Sequence, residues 1–210
     1  MLWRVSSPRL YPADFIEPCL PTVRSKAPAG PEWIHEIKHD GYRLVVRREP
    51  ARIRTFTKRG HDWTDKFPWV VSAVGSLRVS PIVIDGEGCI AGKDGVSHFA
   101  MLHSRAYPEL VFLYAFDLLE LNGEDLRREP LEKRKAKLAK LLTKADHGLR
   151  YNDHLEGDGS LIFTHACKLG FEGIVSKRRD FGYRSGNCKG WVKVKNPNSQ
   201  AMMRVEDGMF

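Results

Sequence analysis

The chain has 210 residues, 42% of them hydrophobic, enough apolar material for one large domain or two small ones with an ordinary core. Lys and Arg number 34 against 26 Asp and Glu, a formal charge of +8, so polyanions, nucleic acid above all, are the favoured partner class. The longest apolar run, 110–116, is too short to span a bilayer, the start lacks a secretory pattern, and the scattered cysteines form no C-x-x-C pair; a membrane, a zinc site and a disulfide framework are thereby disfavoured and a cytoplasmic chain is expected.

Residues 1–31 carry Pro8, Pro12, Pro18, Pro21, Pro28 and Pro31, which disfavours long helices or central strands and predicts an extended arm lying on the domain. Strands are predicted at 33–38 and 42–48, joined as a hairpin by His39-Asp40-Gly41, because Asp-Gly between apolar runs is a strong turn signal. A strand at 52–57, a helix at 67–77 and strands at 82–84 and 111–119 follow. Helical periodicity returns at 131–142 and 161–169, the latter with Ser160 as its expected cap and Gly170 just past its end. Strands at 173–176 and 191–195 close the series, and 201–210 reads as a tail. Cations cluster at 43–59, 127–144 and 177–195, although a run such as 132–140 also reads as a solvated helix face. Strands outnumber helices and lack a regular crossover rhythm, so the expected class is α+β, with mainly antiparallel sheets flanked by helices.

The densest chemistry lies in Glu36-Ile37-Lys38-His39-Asp40-Gly41-Tyr42-Arg43. Strand alternation projects Glu36 and Lys38 together with Ile37 behind them, and a turn at Asp40-Gly41 brings Arg43 back from the partner strand. These residues alone fit a surface hairpin as well as a site. Downstream, Asp85-Gly86 leads from the apolar 82–84 strand to Glu87, setting a carboxylate at a strand end. Alternation in 111–119 puts Phe112, Tyr114 and Phe116 on one side. In Trp191-Val192-Lys193-Val194-Lys195 it buries the two valines and points both lysines one way, as charges suited to phosphates or as a basic strand edge. The histidines show neither a triad partner nor metal spacing.

Order adds what spacing does not. Lys38-x-Asp40-Gly41-x-Arg43, Thr57-Lys58-Arg59-Gly60, Asp85-Gly86-Glu87, Phe116-Asp117-Leu118-Leu119, Glu172-Gly173-Ile174-Val175-Ser176-Lys177 and Trp191-Val192-Lys193-Val194-Lys195 follow one another along the chain. This succession resembles the covalent nucleotidyltransferases: ATP-dependent DNA ligases, RNA ligases and mRNA capping enzymes. Ile16-Glu17-Pro18-Cys19-Leu20, His61-Asp62-Trp63-Thr64 and Glu156-Gly157-Asp158-Gly159 are similar to the ligase domain of bacterial ligase D and its stand-alone relatives, and the likeness covers about residues 14–205.

The resemblance implies an ATP-grasp-like adenylation domain over 32–200. In it Lys38 attacks the α-phosphorus of ATP, expels pyrophosphate and keeps AMP, which then passes to the 5′ phosphate of nicked DNA. Attack needs the neutral amine, which a free lysine of pKa near 10.4 presents only about once in two thousand at pH 7, so cations, a metal or desolvation must help. The likeness further implies that Glu36 reads the exocyclic amine of adenine, Ile37 lines the pocket and Phe116 stacks on the base. Arg43, Lys193 and Lys195 supply positive field, and Arg59 contacts AMP or the nick phosphate. Glu87 meets the ribose or a metal, and Glu172 is the second carboxylate for Mg²⁺ or Mn²⁺, a hard cation suited to carboxylates and phosphate oxygens. Lys177 matches the family pattern, yet alternation sets it opposite Glu172.

The implied partners are nicked or broken double-stranded DNA, end-joining proteins such as Ku, or a separate OB-fold chain, in the bacterial cytosol at the nucleoid. Full ligases carry an OB barrel of about 70 residues or more after the last segment; only residues 196–210 follow here, so no C-terminal OB barrel is expected. The competing readings are a DNA- or partner-binding module with residual adenylation activity, and an RNA-ligase or capping-type enzyme.

Overall fold

A computed structural model describes Pro12, residues 14–145 and residues 147–206; Pro8 and the rest of 1–11, and the 207–210 end of the expected tail, lie outside the described residues. Within them the β-branched and aromatic runs become strands β1 (Cys19–Val23), β2 (Trp33–Ile37), β3 (Tyr42–Glu49), β4 (Arg52–Thr57), β5 (Ile82–Cys89), β6 (Phe112–Leu121), β7 (Glu124–Asp125), β8 (Leu149–Tyr151), β9 (Gly173–Arg178) and β10 (Gly186–Lys195). The amphipathic runs become helices α1 (Pro68–Ser76), α2 (Phe99–Ser104), α3 (Leu131–Leu142), α4 (Gly159–Lys168) and α5 (Gln200–Glu206). One sheet has the order β1-β10-β9-β2; the other runs β4-β3-β5-β6-β7, with β8 also on β6. All pairings are antiparallel except β1 with β10 and β6 with β8, so the class is α+β, as expected.

Three apolar clusters order the layers. Leu44, Val46, Ile84, Leu113 and Ala115 of the larger sheet pack against Val70 and Val74 of α1 and Leu138 and Leu142 of α3. Val45, Val83, Phe116 and Leu119, from the opposite face, meet Cys19, Ile34, Cys188 and Trp191 of the smaller sheet. Ile174, Val192 and Val194 then pack on Ala166 of α4. The larger sheet is therefore buried on both faces, which is why Leu44-Val45-Val46 is apolar without alternation.

Several sequence expectations are corrected. The predicted hairpin does not exist, because β2 and β3 belong to different sheets. After β2 the Lys38 N–H donates to the Gly173 carbonyl at 2.9 Å, so the chain stays on β9 until Asp40-Gly41 carries it across. Gly41 is required here by crowding: a Cβ on it would lie 2.3 Å from the Gly88 carbonyl oxygen of β5. The Pro-rich arm contains a strand, β1, at a sheet edge, where Pro21 removes no ladder bond to a second neighbour. Strand β5 continues to Cys89, so Glu87 sits inside a strand and pairs across from Arg43.

The β5–β6 register shifts between Asp85 and Gly86, which pair with Asp117 and Ala115 and leave Phe116 as the extra residue. Up to the bulge the expected alternation holds: Val111, Leu113 and Ala115 pack in the cluster with α1 and α3, and Phe116 faces the smaller sheet; after it the parity changes, so that Leu118 rather than Asp117 returns to the first face. Helix α4 begins at Gly159 and is capped by Asp158, whose carboxylate accepts from the N–H groups of Ser160 and Leu161 at 2.7 and 3.2 Å; Ser160 is inside the helix. Helix α2 is too short to show a period.

Helix α3 also departs from a solvated face. Its buried positions are Leu131, Arg134, Lys135, Leu138 and Leu142, an i, i+3, i+4, i+7, i+11 stripe that contains two cations. Arg134 is fully buried and holds Asp117 of β6 by two bonds, 2.7 and 2.8 Å, while also donating to the carbonyls of Glu129 and Phe181. Removing one partner of such a pair strands the other charge in the core. Arg134→Met is expected to cost about 3 to 5 kcal/mol, and Arg134→Met combined with Asp117→Leu substantially less, as read by urea unfolding. Equal losses in both would show that the pair does not fix α3.

Candidate active site

A cavity of about 750 Å³ opens between the sheets. Its lining unites Glu36, Ile37 and Lys38 from β2 and its end, Arg43 from β3, Arg59 after β4, Glu87 from β5, Phe116 from β6 and Lys193 from β10. A second hollow of about 200 Å³ adjoins it, lined by Lys38, Asp40, Ser97, Phe171, Glu172 and Ser199 among others. Lys38 and Asp40 belong to both. Two candidates stand apart: Glu172 lines only the smaller hollow, and Lys195 lines neither, its ammonium lying 3.9 Å from the Met202 sulfur.

Lys38 retains partial exposure, 21% of its side chain, and its ammonium is ion-paired with the nearly buried Glu172 carboxylate. Next to Glu172, Gly173 lets the chain press against β10: at φ +138° it sits where a Cβ would fall 2.1 Å from the Val194 carbonyl oxygen. Arg43 is locked by Asp85 through bonds of 2.6 and 2.7 Å, and the Tyr183 hydroxyl donates to the same carboxylate at 2.6 Å. Glu87 has no such clamp. Burial pushes its carboxyl up to about 7, Glu172 and Asp85 add to the rise, and Lys38 and Arg43 oppose it.

Glu36, 2% exposed, takes Lys135 on Oε1 at 2.7 Å and Lys177 on Oε2 at 2.6 Å, and Asn152 Nδ2 adds a bond to Oε2 at 3.2 Å. Burial alone would raise this carboxyl; the two lysines overcome it and hold it low. The Phe116 ring, 7% exposed, has the Arg43 guanidinium 4.4 Å and the Lys177 ammonium 4.2 Å from its centroid. Lys58 and Arg59 are exposed at the cavity, and Lys193 is partly buried there; none of the three has a carboxylate partner among the described residues. Lys193 is pushed down by burial and by the repulsion of Lys38, Lys195 and Lys58.

Reasoning from sequence missed Asp85, Lys135, Asn152 and Tyr183. Lys135 had a usable signal, its place on the apolar stripe of α3; Asn152 and Tyr183 reach the site through loops and carry no local pattern.

Comparison with known proteins agrees with the order of these residues. Residues 22–195 match the family model described as ATP dependent DNA ligase domain. The chain is 37% identical over 186 residues to a multifunctional non-homologous end joining protein LigD of Pseudomonas aeruginosa, covering 87% of this chain and 22% of that protein. It is 33% identical over 197 residues to a LigD of Mycobacterium tuberculosis, covering 93% and 26%. The chain thus spans about a quarter of the length of these relatives. Among solved structures, a mycobacterial DNA ligase D complexed with ATP and MES superposes with a TM-score of 0.79 at 31% identity, over 88% of this chain and 62% of that one.

His39, at the variable position between Lys38 and Asp40, is stacked on Tyr114 at 3.7 Å and bonded through Nε2 to Asn152 Oδ1 at 3.1 Å. Burial lowers its pKa to about 4. An imidazole whose folded value lies below its unfolded value of about 6.5 stabilises the fold above pH 6.5, and that contribution is lost as pH falls through 4. Between pH 7.5 and pH 4.5, His39→Gln should lose about 2 to 3 kcal/mol less stability than the parent chain in urea unfolding. Parallel losses would show that His39 is not buried in neutral form.

Proposed function

We propose that this chain, which belongs to the family of ATP-dependent DNA ligases, moves AMP from ATP onto Lys38 and then to the 5′ phosphate of nicked or broken DNA, in end joining. The observation that carries this reading is the position of Lys38. It is the cation shared by the large cavity and the adjoining hollow, flanked by Glu172, with Lys58, Arg59 and Lys193 left without carboxylate partners among the described residues where phosphates would lie.

In the first step the Lys38 amine attacks the α-phosphorus, the bond to the bridging oxygen breaks, and pyrophosphate leaves. The ion pair with Glu172 must open and the ammonium must lose a proton before that attack. In the second step an oxygen of the DNA 5′ phosphate attacks the same phosphorus, and the amine departs and regains its proton. Closure follows when the 3′ hydroxyl displaces AMP. Arg59 and Lys193 would hold phosphate oxygens, with Lys195 adding field from one turn of alternation away along β10. Arg43, already neutralised by Asp85, fits a scaffold role beside the base better than direct phosphate contact.

No group of three or more metal-binding side chains occurs among the described residues, so any metal site is sparse. Glu87 and Glu172 fit one: burial first, and then the nearby Glu172 and Asp85 carboxylates, push the Glu87 carboxyl up against the pull of Lys38 and Arg43, and a cation there would offset both. They would hold Mg²⁺ or Mn²⁺ together with water and phosphate oxygens, and the bound ion supplies charge neutralisation at phosphate.

At the base end Glu36 and Ile37 would meet adenine, and Phe116 would stack on it, with Arg43 and Lys177 close to the same ring. Among the described residues no helix is long and apolar enough to cross a membrane. The reading places the chain with DNA in the cytosol, where Ku or a separate OB-fold chain would be its protein partners.

Lys38→Ala and Lys38→Arg should both abolish covalent label from α-labelled ATP, since arginine keeps the charge but is not deprotonated in proteins. Phe116→Ala should label but weaken ATP binding by about 1 to 3 kcal/mol, the range for base stacking. Label surviving denaturation in either Lys38 variant would assign the nucleophile elsewhere; unchanged ATP affinity in Phe116→Ala would leave that ring a packing residue.

A further inference from the structure

Lys135 touches nothing in the cavity, yet it controls a residue that lines it. Its ammonium, buried in α3, donates to Glu36 Oε1 at 2.7 Å and to the Asn152 carbonyl at 2.9 Å, with the Tyr151 ring 4.6 Å away. Glu36 is an acceptor only, so the Asn152 amide must present Nδ2 to it and Oδ1 to His39. That orientation in turn places the His39 proton on Nε2, consistent with a ring that burial keeps neutral. The charge of one carboxylate thus fixes three side chains around it.

A carboxylate has about four acceptor positions. On Glu36, which lines the cavity, Lys177 and Asn152 use the two on Oε2 and Lys135 uses one on Oε1, leaving one Oε1 position unused among the described residues. With its charge maintained by two lysines, that position accepts a donor and repels a carbonyl. An exocyclic amine satisfies it; the O6 of guanine, or a bare C–H in its place, does not.

We infer that Lys135 is a positioning residue for nucleobase selectivity: by holding Oε1 of Glu36 it aims the remaining acceptor at a purine 6-amino group. This deepens the proposed adenylation reading and rests on it. Lys135 was the residue placed by the apolar stripe of α3, so its ammonium is held by packing rather than by the ligand. Without it Oε1 would be free to turn toward Asn152 or Tyr151, and Lys177 alone would have to balance the buried charge.

The test compares covalent labelling by ATP with labelling by purine riboside triphosphate, which lacks only the 6-amino group, in the full chain and in Lys135→Met. The parent should prefer ATP in kcat/KM by roughly 10- to 100-fold, the range for a hydrogen bond to a charged group. In Lys135→Met the preference should collapse to within a few-fold of one, through a raised KM for ATP, while KM for purine riboside triphosphate and the labelling rate at saturation stay within a few-fold. A merely structural role would depress both nucleotides alike and keep the preference, which would overturn the inference.

If Lys135→Met does not fold, Lys135→Gln, which keeps a donor but loses the charge, should show an intermediate preference; a full parental preference in that variant counts against the inference equally. A parent chain that labels equally with both triphosphates overturns this inference alone. A parent chain that takes label from neither overturns the adenylation reading as well.

Discussion

A carboxylate buried in protein stays ionised only with a cation against it, and the core of this molecule is arranged around four of them. Asp85 and Asp117 are fully buried, Glu36 is 2% exposed and Glu172 8%. Arg43 answers the first from β3, Arg134 the second from α3, Lys135 and Lys177 the third from α3 and β9, and Lys38 the fourth from the end of β2. Each pair joins different elements of the fold. Together they hold α3 to the larger sheet, β9 to β2, and the crossing segment to both sheets. Apolar contacts supply most of the favourable free energy, but they would tolerate small slides that these pairs do not.

The same accounting separates structural cations from functional ones. Those facing the core are consumed by carboxylates, whereas Lys58, Arg59 and Lys193, at the cavity, are not. A pocket floored by neutralised charge and rimmed by free charge favours a ligand with an uncharged ring at one end and phosphates at the other. Lys38 stands at the junction. Its carboxylate partner, Glu172, belongs to the neighbouring hollow, so a change at that side reaches the amine directly. On the other flank Asp40 is taken by Arg204 of α5, which ties the segment after β10 to the crossing loop beside Lys38. Segments on both sides of the amine therefore share one electrostatic neighbourhood, and motion in either alters how firmly the ammonium is held.

Much of this was legible along the chain. The apolar periods located β4 and α3 to the residue and most other long elements within two positions, because local burial demands leave a local pattern, whereas β5 and β10 each extend five residues past the apolar stretch that marked them. The order of short motifs identified the family and named residues that line the cavity, from Glu36 and Lys38 to Phe116 and Lys193, but it also named Glu172 and Lys195, which do not line it. Three things were decided only in the folded molecule. Asp40-Gly41 read as a hairpin because a turn signal does not say which strand the chain will join; backbone pairing of Lys38 with Gly173, more than a hundred residues away, settled that. The bulge that leaves Phe116 unpaired and returns Leu118, not Asp117, to the face of Leu113 and Ala115 carries no local pattern. Lys135 and Arg134 looked like solvent-facing charges until the carboxylates they neutralise were placed beneath them. Sequence by itself determined which side chains this protein has for its chemistry and in what order; tertiary structure alone decided their partners, because a buried charge is paired by whatever the fold brings next to it.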